Sequence, residues 1–255
     1  MYAEERRQAM ADLIEKRGRL SVSELADAYA VTTETVRRDL SELERAGVIR
    51  RVHGGAVLAD ALPMLETAVT DRDLAHAEEK ERIARAAATL LPRAGGSIVL
   101  DAGTTTSRLA AHLPRDLRLT VITNAVPVAS RLAGVTGVTL HLLPGRVRST
   151  TQAAVGEDTV AALEHLRVDM VFVGANGVSA EHGLSTPDHS EAAAKRAMVR
   201  CGHRVVALAD SSKIGREHTV RFAALADIDV LVTDSGIADA DVKVFEDFGI
   251  EVVVA

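Results

Sequence analysis

The chain has 255 residues, of which 47% are hydrophobic and 26% charged, and its net charge is −6. That length suggests one large domain or two smaller ones with room for a sizeable core. The acidic balance excludes a general polyanion binder, and an aromatic content of 2% argues against a single-strand nucleic-acid binder that stacks bases on rings.

Other absences narrow the class further. The one cysteine, Cys201, cannot form a disulfide within the chain, which fits a reducing compartment. The opening MYAEERRQAMADL reads as an amphipathic helix start and not as a signal peptide. No apolar run is long enough to span a bilayer, so a cytoplasmic protein without membrane partners is expected. Nine histidines, among them His76, His112, His141, His182, His189 and His218, show no metal-ligand spacing, and no metal or cofactor is expected.

In chain order, Met10, Leu13 and Ile14 give a first helix its buried stripe, ended near Gly18. Ser21 with Glu24 forms a capping box for a second helix, in which Val22, Leu25, Ala26 and Tyr29 recur at helical spacing. Thr32 or Thr33 caps a third, whose apolar stripe is Val36, Leu40 and Leu43, and Gly47 ends it. At about 100° per residue, Glu34, Arg38, Ser41 and Arg45 fall opposite that stripe, flanked by Thr35 and Arg37. A helix in a DNA major groove needs this mixture, with short polar or Arg contacts for base edges and positive charge for phosphates. Residues 49–57 alternate around Gly54-Gly55 as a two-stranded wing, where Arg50, Arg51 and His53 can follow the duplex backbone. A helix pair of this kind also occurs in protein-interaction modules. The wing favours DNA.

A winged helix-turn-helix therefore fills residues 1–58, and a linker with Pro63 follows over 59–74. Ten of the 30 basic and ten of the 36 acidic residues lie in 1–58, so the front is neutral and the remainder carries the acidity. Residues 75–255 begin with a helix over 76–91, carrying Ile83, Ala84, Ala87, Leu90 and Leu91 on one face. Short apolar runs then appear at 97–100, 119–122, 139–143, 170–173, 205–208, 230–232 and 252–254. Helical stretches lie between most of them, near 158–166, 191–200 and 240–248, and Asp188 with Glu191 makes a second capping box. Alternating strands and helices predict an α/β domain with a mostly parallel sheet covered on both faces.

Ligands of such sheets sit beyond the carboxyl ends of the strands. The first strand is followed by Asp101-Ala102-Gly103-Thr104-Thr105-Thr106-Ser107, where a glycine, hydroxyls and free amides at a helix start favour an anion such as phosphate. A plain strand-to-helix turn with Thr caps would read the same way, and no Walker lysine follows. Other strand ends supply Asn124, Gly145-Arg146, Asn176, Asp210 and Lys213. Arg146 and Lys213 can neutralise a phosphate. Asn124 and Asp210 can take sugar hydroxyls.

Val31-Thr32-Thr33-Glu34-Thr35-Val36-Arg37-Arg38-Asp39-Leu40, with Arg50-Arg51-Val52-His53-Gly54-Gly55-Ala56, resembles the amino-terminal signature of DeoR-family transcriptional regulators. Asp-Ala-Gly-Thr-Thr, Thr-Asn-Ala, Val-Gly-Ala-Asn-Gly, Gly-Leu-Ser-Thr and Ala-Asp-Ser-Ser-Lys-Ile-Gly resemble its sensor domain, so the resemblance spans nearly the whole chain. It implies a ribose-5-phosphate-isomerase-like sensor fold that binds a phosphorylated sugar or polyol. On the family pattern Asp101, Gly103, Thr104, Thr105, Asp210 and Lys213 contact the effector, and Lys80 matches a basic position of the family. Leu143-Pro144-Gly145-Arg146-Val147-Arg148 most resembles the family's actinobacterial fructose-operon members, which makes fructose 1-phosphate the expected effector.

The expected protein is thus a repressor of a sugar-utilisation operon, a homo-oligomer (dimer or tetramer) relieved by a sugar phosphate. Ser21, Thr33, Glu34, Thr35, Arg37, Arg38, Ser41, Arg50, Arg51 and His53 are the expected contacts to double-stranded operator DNA. The expected effector contacts are Lys80, Asp101, Gly103, Thr104, Thr105, Thr106, Asn124, Gly145, Arg146, Asn176, Asp210 and Lys213. The alternative is a sugar-phosphate isomerase-like enzyme with an appended DNA-binding domain, using Asp101, Asp210 and Lys213 to move a proton beside a carbonyl. No acid–base pair at a persuasive spacing supports it, and no catalytic residues are expected.

Overall fold

The computed structural model describes residues 3–17, 19–46, 48–52, 55–58 and 69–255. Its contacts divide the chain into two units, Met1–Leu65 and Glu66–Ala255. Gly18, Gly47, His53, Gly54 and most of the expected linker lie outside the described residues.

The first unit runs α1 (Ala3–Arg17), β1 (Arg19–Ser21), α2 (Val22–Tyr29), α3 (Thr33–Arg45), β2 (Ile49–Val52) and β3 (Gly55–Leu58). Met10, Ile14, Leu25, Val36, Leu40 and Ile49 are fully or almost fully buried and form one core, which uses the stripes read from the sequence. Burial of each such side chain contributes about 1.5–3 kcal/mol. The capping box at the start of α2 is complete, with Ser21 and Glu24 each holding the other's backbone N–H. Thr32, not Thr33, caps α3, accepting from the Thr35 amide at 3.2 Å. The wing strands β2 and β3 are antiparallel, and β1 adds a third strand along β3 that the sequence did not reveal. Gly55 is required by that addition, because a Cβ there would sit 2.1 Å from the Leu20 carbonyl oxygen. Gly55→Ala is therefore expected to destabilise this unit by about 1–3 kcal/mol, read from its thermal unfolding. An unchanged midpoint would place β1 elsewhere.

The second unit opens with α4 (Val69–Leu74) and α5 (Ala77–Ala88). It continues with β4 (Ser97–Leu100), α6 (Thr104–Ala111), β5 (Leu119–Thr123), α7 (Val126–Leu132), β6 (Val138–Leu142), β7 (Arg146–Val147) and β8 (Ala154–Val155). Next come α8 (Glu157–Glu164), β9 (Val168–Gly174), β10 (Gly177–Ser179), β11 (Gly183–Thr186), α9 (His189–Cys201) and β12 (Gly202–Leu208). β13 (Val220–Ala223), β14 (Val230–Thr233), α10 (Asp239–Asp247) and β15 (Glu251–Val254) complete it. The main sheet is parallel throughout, in the order β15-β14-β12-β9-β4-β5-β6. Alternate residues of one strand feed opposite cores: Ile98 and Leu100 pack with α5, α6 and α7, while Val99 packs with α8 and α9. This is the two-sided α/β arrangement that the apolar runs predict.

Three features depart from the sequence reading. Val69–Leu74, placed in the linker, form a short helix. The helix expected over 76–91 ends at Ala88, where Thr89 turns its hydroxyl back to the Ala86 carbonyl. A second sheet, antiparallel β10-β11-β13, is not legible in the sequence, because its strands are only three or four residues long, β10 and β11 are rich in Gly, Ser and Thr, and the apolar residues of β13 are interrupted by Arg221. No helix among the described residues is long and apolar enough to cross a membrane.

Candidate functional site

The outer face of α3 is the first candidate. Thr33, Glu34, Arg37 and Arg38 are exposed on it, with Thr35 half-buried. Arg37 is 55% exposed and lies 3.4 Å from the Glu34 carboxylate, so its charge is partly shared. Arg38 has no ion pair among the described residues. Ser41 donates its hydroxyl to the Arg37 carbonyl at 2.8 Å. Ser21 is committed to the α2 cap, accepting from the Glu24 amide at 3.1 Å and donating to its carboxylate at 2.7 Å. Arg50 and Arg51 belong to wing strand β2.

A residue missed in the sequence sets the pose of this face. Asp39 is buried and accepts from Arg6 Nε of α1 at 2.7 Å. It lies on the same helical stripe as Val36, Leu40 and Leu43, and a carboxylate on an apolar stripe is the signal that could have exposed it. Arg6→Ala leaves that carboxylate buried and unpaired, and is expected to cost about 3 kcal/mol or more of stability. Chemical denaturation checks this; a cost below about 1 kcal/mol would show the pair to be as weak as an exposed one.

The second candidate lies where the strand order reverses. From β4 the chain steps outward through β5 and β6, then returns to lay β9 on the other side of β4. Ligands of open α/β sheets bind at such a switch point. Asp101 follows β4 and is 1% exposed. Its Oδ2 accepts from the Gly174 amide at the end of β9 at 3.0 Å and from the Lys195 ammonium. Lys195 also donates to the Gly174 carbonyl at 2.9 Å and sits 5.5 Å from the centre of the Phe222 ring. Burial pushes the Asp101 carboxyl up, against the opposing pull of Lys195.

Beside this pair α6 begins. Gly103 precedes its first turn with no side-chain cap, so the first amides of the helix are left without a capping side chain. Gly103 is extended, with φ of 176°, so any residue could adopt its backbone. The constraint is space, since a Cβ would meet Thr106 Oγ1 at 3.1 Å. Thr106 Oγ1 donates to the Gly103 carbonyl at 3.0 Å. Thr104 and Thr105 are buried against the same turn.

The remaining expected residues divide. Lys80, Asp210 and Lys213 come together: the Lys80 ammonium feels the Asp210 carboxylate and the Lys213 charge. Lys80 is nevertheless 4% exposed, and it donates to the carbonyls of Arg72 and of Ala75, the latter at 2.6 Å. Burial lowers its pKa to about 8, with Asp210 acting in the other direction. Asp234, unnoticed in the sequence, braces this corner by accepting from the Ser211 amide at 2.6 Å and the Gly236 amide at 3.0 Å. Burial opposes its charge, but those donors and the Ser211 hydroxyl hold its carboxyl below the usual range.

Asn124 is a bracket more than an open ligand group. Its amide donates to the Ala154 carbonyl at 3.0 Å and accepts from the Ala102 amide at 3.1 Å, fixing the turn that carries Gly103. Gly145 serves packing, with φ of 137° and room for a Cβ denied by Thr159 Oγ1 at 2.3 Å. Asn176 uses its backbone N–H on the Ser185 carbonyl at 3.0 Å. Arg146 is exposed on β7, and its guanidinium has no hydrogen bond or ion pair among the described residues.

The cation that turns inward on that hairpin is Arg148, two positions on. It donates to Glu191 at 2.6 Å and lies 3.3 Å from Asp188. Glu191 also accepts from the hydroxyls of Thr151 and Thr186. The capping box expected at Asp188 is therefore half made: Asp188 caps the Glu191 amide at 2.9 Å, while the Glu191 side chain goes to Arg148. Glu191, Lys195 and Met198 share one buried stripe of α9. Charges on a buried stripe were again the available signal.

The site thus offers helix-start amides, two lysines and well-braced carboxylates around one switch point. That set suits binding of an anionic, hydroxylated molecule. Asp101 is locked to Lys195 and Gly174 and is not itself a free base for proton transfer.

Two family profiles match the chain: the DeoR-like helix-turn-helix domain over residues 6–61 and the DeoR C terminal sensor domain over residues 75–235. The HTH-type transcriptional repressor GlcR of Bacillus subtilis is 33% identical over 254 residues, covering 100% of this chain and 97% of that protein. The glycerol-3-phosphate regulon repressor of Escherichia coli is 32% identical over 235 residues, covering 92% of each. Among solved structures, ribose 5-phosphate isomerase A of Methanocaldococcus jannaschii aligns with a TM-score of 0.38 at 16% identity, over 55% of each chain. A TM-score of that size carries no functional weight.

Proposed function

The chain belongs to the DeoR family of transcriptional regulators, and from that premise we propose that it represses a sugar-utilisation operon in the cytoplasm and is released from its operator by a phosphorylated sugar. It is a regulator and not an isomerase-like enzyme, in keeping with relatives named as repressors. The observation that carries the proposal is the pairing of an exposed Arg-bearing α3 face with a switch-point site of uncapped helix amides and lysines. In a homo-oligomer, dimer or tetramer, α3 helices of two subunits read successive half-sites of the duplex. The sugar phosphate shifts this state only by its differential affinity for the released one. Its phosphate sits on the first amides of α6 with Lys213 and Lys80 beside it, and its hydroxyls face Asp210 and Asn176. Fructose 1-phosphate is the specific effector proposed, on the short form of residues 143–148.

A mobility-shift assay on the DNA upstream of the chain's own gene, with fructose 1-phosphate, glycerol 3-phosphate and free fructose added in turn, tests this. A retarded band abolished by a phosphorylated sugar and untouched by free fructose is expected. A band that no sugar phosphate alters overturns the effector reading.

The lowered pKa of Lys80 gives a pH signature. A sugar phosphate gains its second charge near pH 6, to first approximation, and Lys80 loses its proton at about 8. Affinity by calorimetry is expected to rise from pH 5.5 to 7 and to fall from pH 7.5 to 9. A flat profile above pH 7.5 would remove Lys80 from the site.

A further inference from the structure

The short helix α4 is the first described element after residues 59–68, the stretch leading from the DNA-reading unit. Six residues are too few to hold a helix in water unaided. Its last residue, Leu74, is 79% exposed and adds little apolar burial. The helix is fastened by polar contacts. The Val69 amide donates to the Thr150 carbonyl at 3.0 Å. Arg108 Nη2 donates to the Asp73 carbonyl at 3.0 Å and to Asp73 Oδ1 at 2.9 Å. The Lys80 ammonium donates to the carbonyls of Arg72 and Ala75.

Each fastening is rooted beside the switch-point site. Arg108 stands on α6, whose opening amides form the anion site. Thr150 precedes Thr151, which holds Glu191 with Arg148. Lys80 is within electrostatic reach of Asp210 and Lys213. An ammonium has three donors, and two of those on Lys80 go to the carbonyls that fasten the α4–α5 turn. Among the described residues the third has no hydrogen-bond partner, which leaves it for a phosphate oxygen.

We propose that α4 is the coupling element of this regulator: the sugar phosphate binds the body more tightly when α4 is docked, because docking is what holds the Lys80 ammonium at the crevice. The inference rests on the effector reading above and adds how that site is linked to DNA. Occupancy pins the carbonyls of residues 72 and 75 and thereby restrains the chain that leads to the DNA-reading unit. The operator-bound state draws on the population in which α4 is loose. Linkage makes the effect reciprocal, so undocking α4 weakens the sugar phosphate by the same factor that the sugar phosphate stabilises docking.

The test uses the full chain and two readouts: amide hydrogen exchange and operator release. Fructose 1-phosphate is expected to slow exchange at residues 69–80 about tenfold, within the usual range of allosteric coupling, while inorganic phosphate at equal concentration has a smaller effect. Asp73→Ala and Arg108→Gln remove a fastening without touching the sugar phosphate. Each is expected to speed exchange over 69–80 and to raise the fructose 1-phosphate concentration for half-release about three- to tenfold. Operator binding without sugar phosphate is retained in both. The Asp73 side chain is about half exposed, so this variant folds even if the Arg108 variant does not. If fructose 1-phosphate releases the operator while exchange over 69–80 stays constant, or if both variants release at the wild-type concentration, α4 is a fixed scaffold. The effector reading then stands and this inference falls. If fructose 1-phosphate changes neither operator binding nor exchange anywhere, the effector reading fails and takes the inference with it.

Discussion

Arg38→Ala is expected to weaken operator binding by about 1–3 kcal/mol for each subunit engaged, the larger of the two arginine effects on α3. Arg38 is exposed and has no ion pair among the described residues, so its guanidinium can turn to DNA. Arg37 already shares charge with Glu34 at 3.4 Å, and Arg37→Ala is expected to cost less. The face behind them is fixed by the Arg6–Asp39 pair and the Thr32 cap, so lost affinity reports the contact and not a loosened helix. Salt separates the two roles an arginine can play. Loss of a phosphate contact lowers the slope of log affinity against log salt by about 0.9, whereas loss of a base contact keeps the slope and relaxes sequence preference. Unchanged affinity for both variants at matched salt would remove α3 from the interface.

Lys195→Met is expected to cost the second unit about 3–5 kcal/mol of unfolding free energy at pH 7. The reason is not the strength of the pair but what is left behind. Asp101 is 1% exposed, and without Lys195 its charge has only the Gly174 amide. The pH dependence fixes the sign. The Asp101 carboxyl is already raised by burial with Lys195 present, and removing Lys195 raises it further. A carboxyl whose folded pKa exceeds its unfolded value supports folding at acid pH and loses that support as pH rises through the folded value. The deficit of the variant is therefore expected to be smallest at acid pH and to grow as pH rises. Asp101→Asn with Lys195→Met removes both charges and should recover part of the loss. Urea unfolding at two pH values measures all of this. A pH-independent deficit would mean that lost packing against Phe222, and not a stranded carboxylate, is responsible.

What could be read beforehand follows from how local each feature is. The helices of the reading unit announce themselves because stripe, cap and turn all lie within a few residues, as with Ser21 and Glu24 or Thr32 and Val36. The Asp101 turn is legible as a candidate site because it follows an apolar run, and in a parallel sheet such runs share one open edge. Partners distant in sequence were not legible. Asp101 meets Lys195 across 94 positions, Arg148 meets Glu191 across 43, and Arg6 meets Asp39 across 33. Only the placement of Asp39, Glu191 and Lys195 on apolar helical stripes hinted that each had a partner. Asn124 and Gly145 are expected effector contacts from their place at strand ends, where residues look alike in sequence. The hydrogen bonds of Asn124 and the crowding at Gly145 give both an internal task. Lys80 is an expected effector contact, and in the structure it also holds the carbonyls of residues 72 and 75.

On the proposed function, one chain carries a DNA reader and a separate sugar-phosphate sensor. Fluorescence anisotropy of labelled operator, titrated with fructose 1-phosphate against the wild type, Arg37→Ala/Arg38→Ala and Lys213→Ala, tests that separation most directly. The arginine variant is expected to lose operator affinity while calorimetry still shows it binding the sugar phosphate. The Lys213 variant is expected to hold the operator but to need far more sugar phosphate to let go. Loss of both properties in either variant, or full release of operator from the Lys213 variant at the wild-type concentration, would contradict that separation.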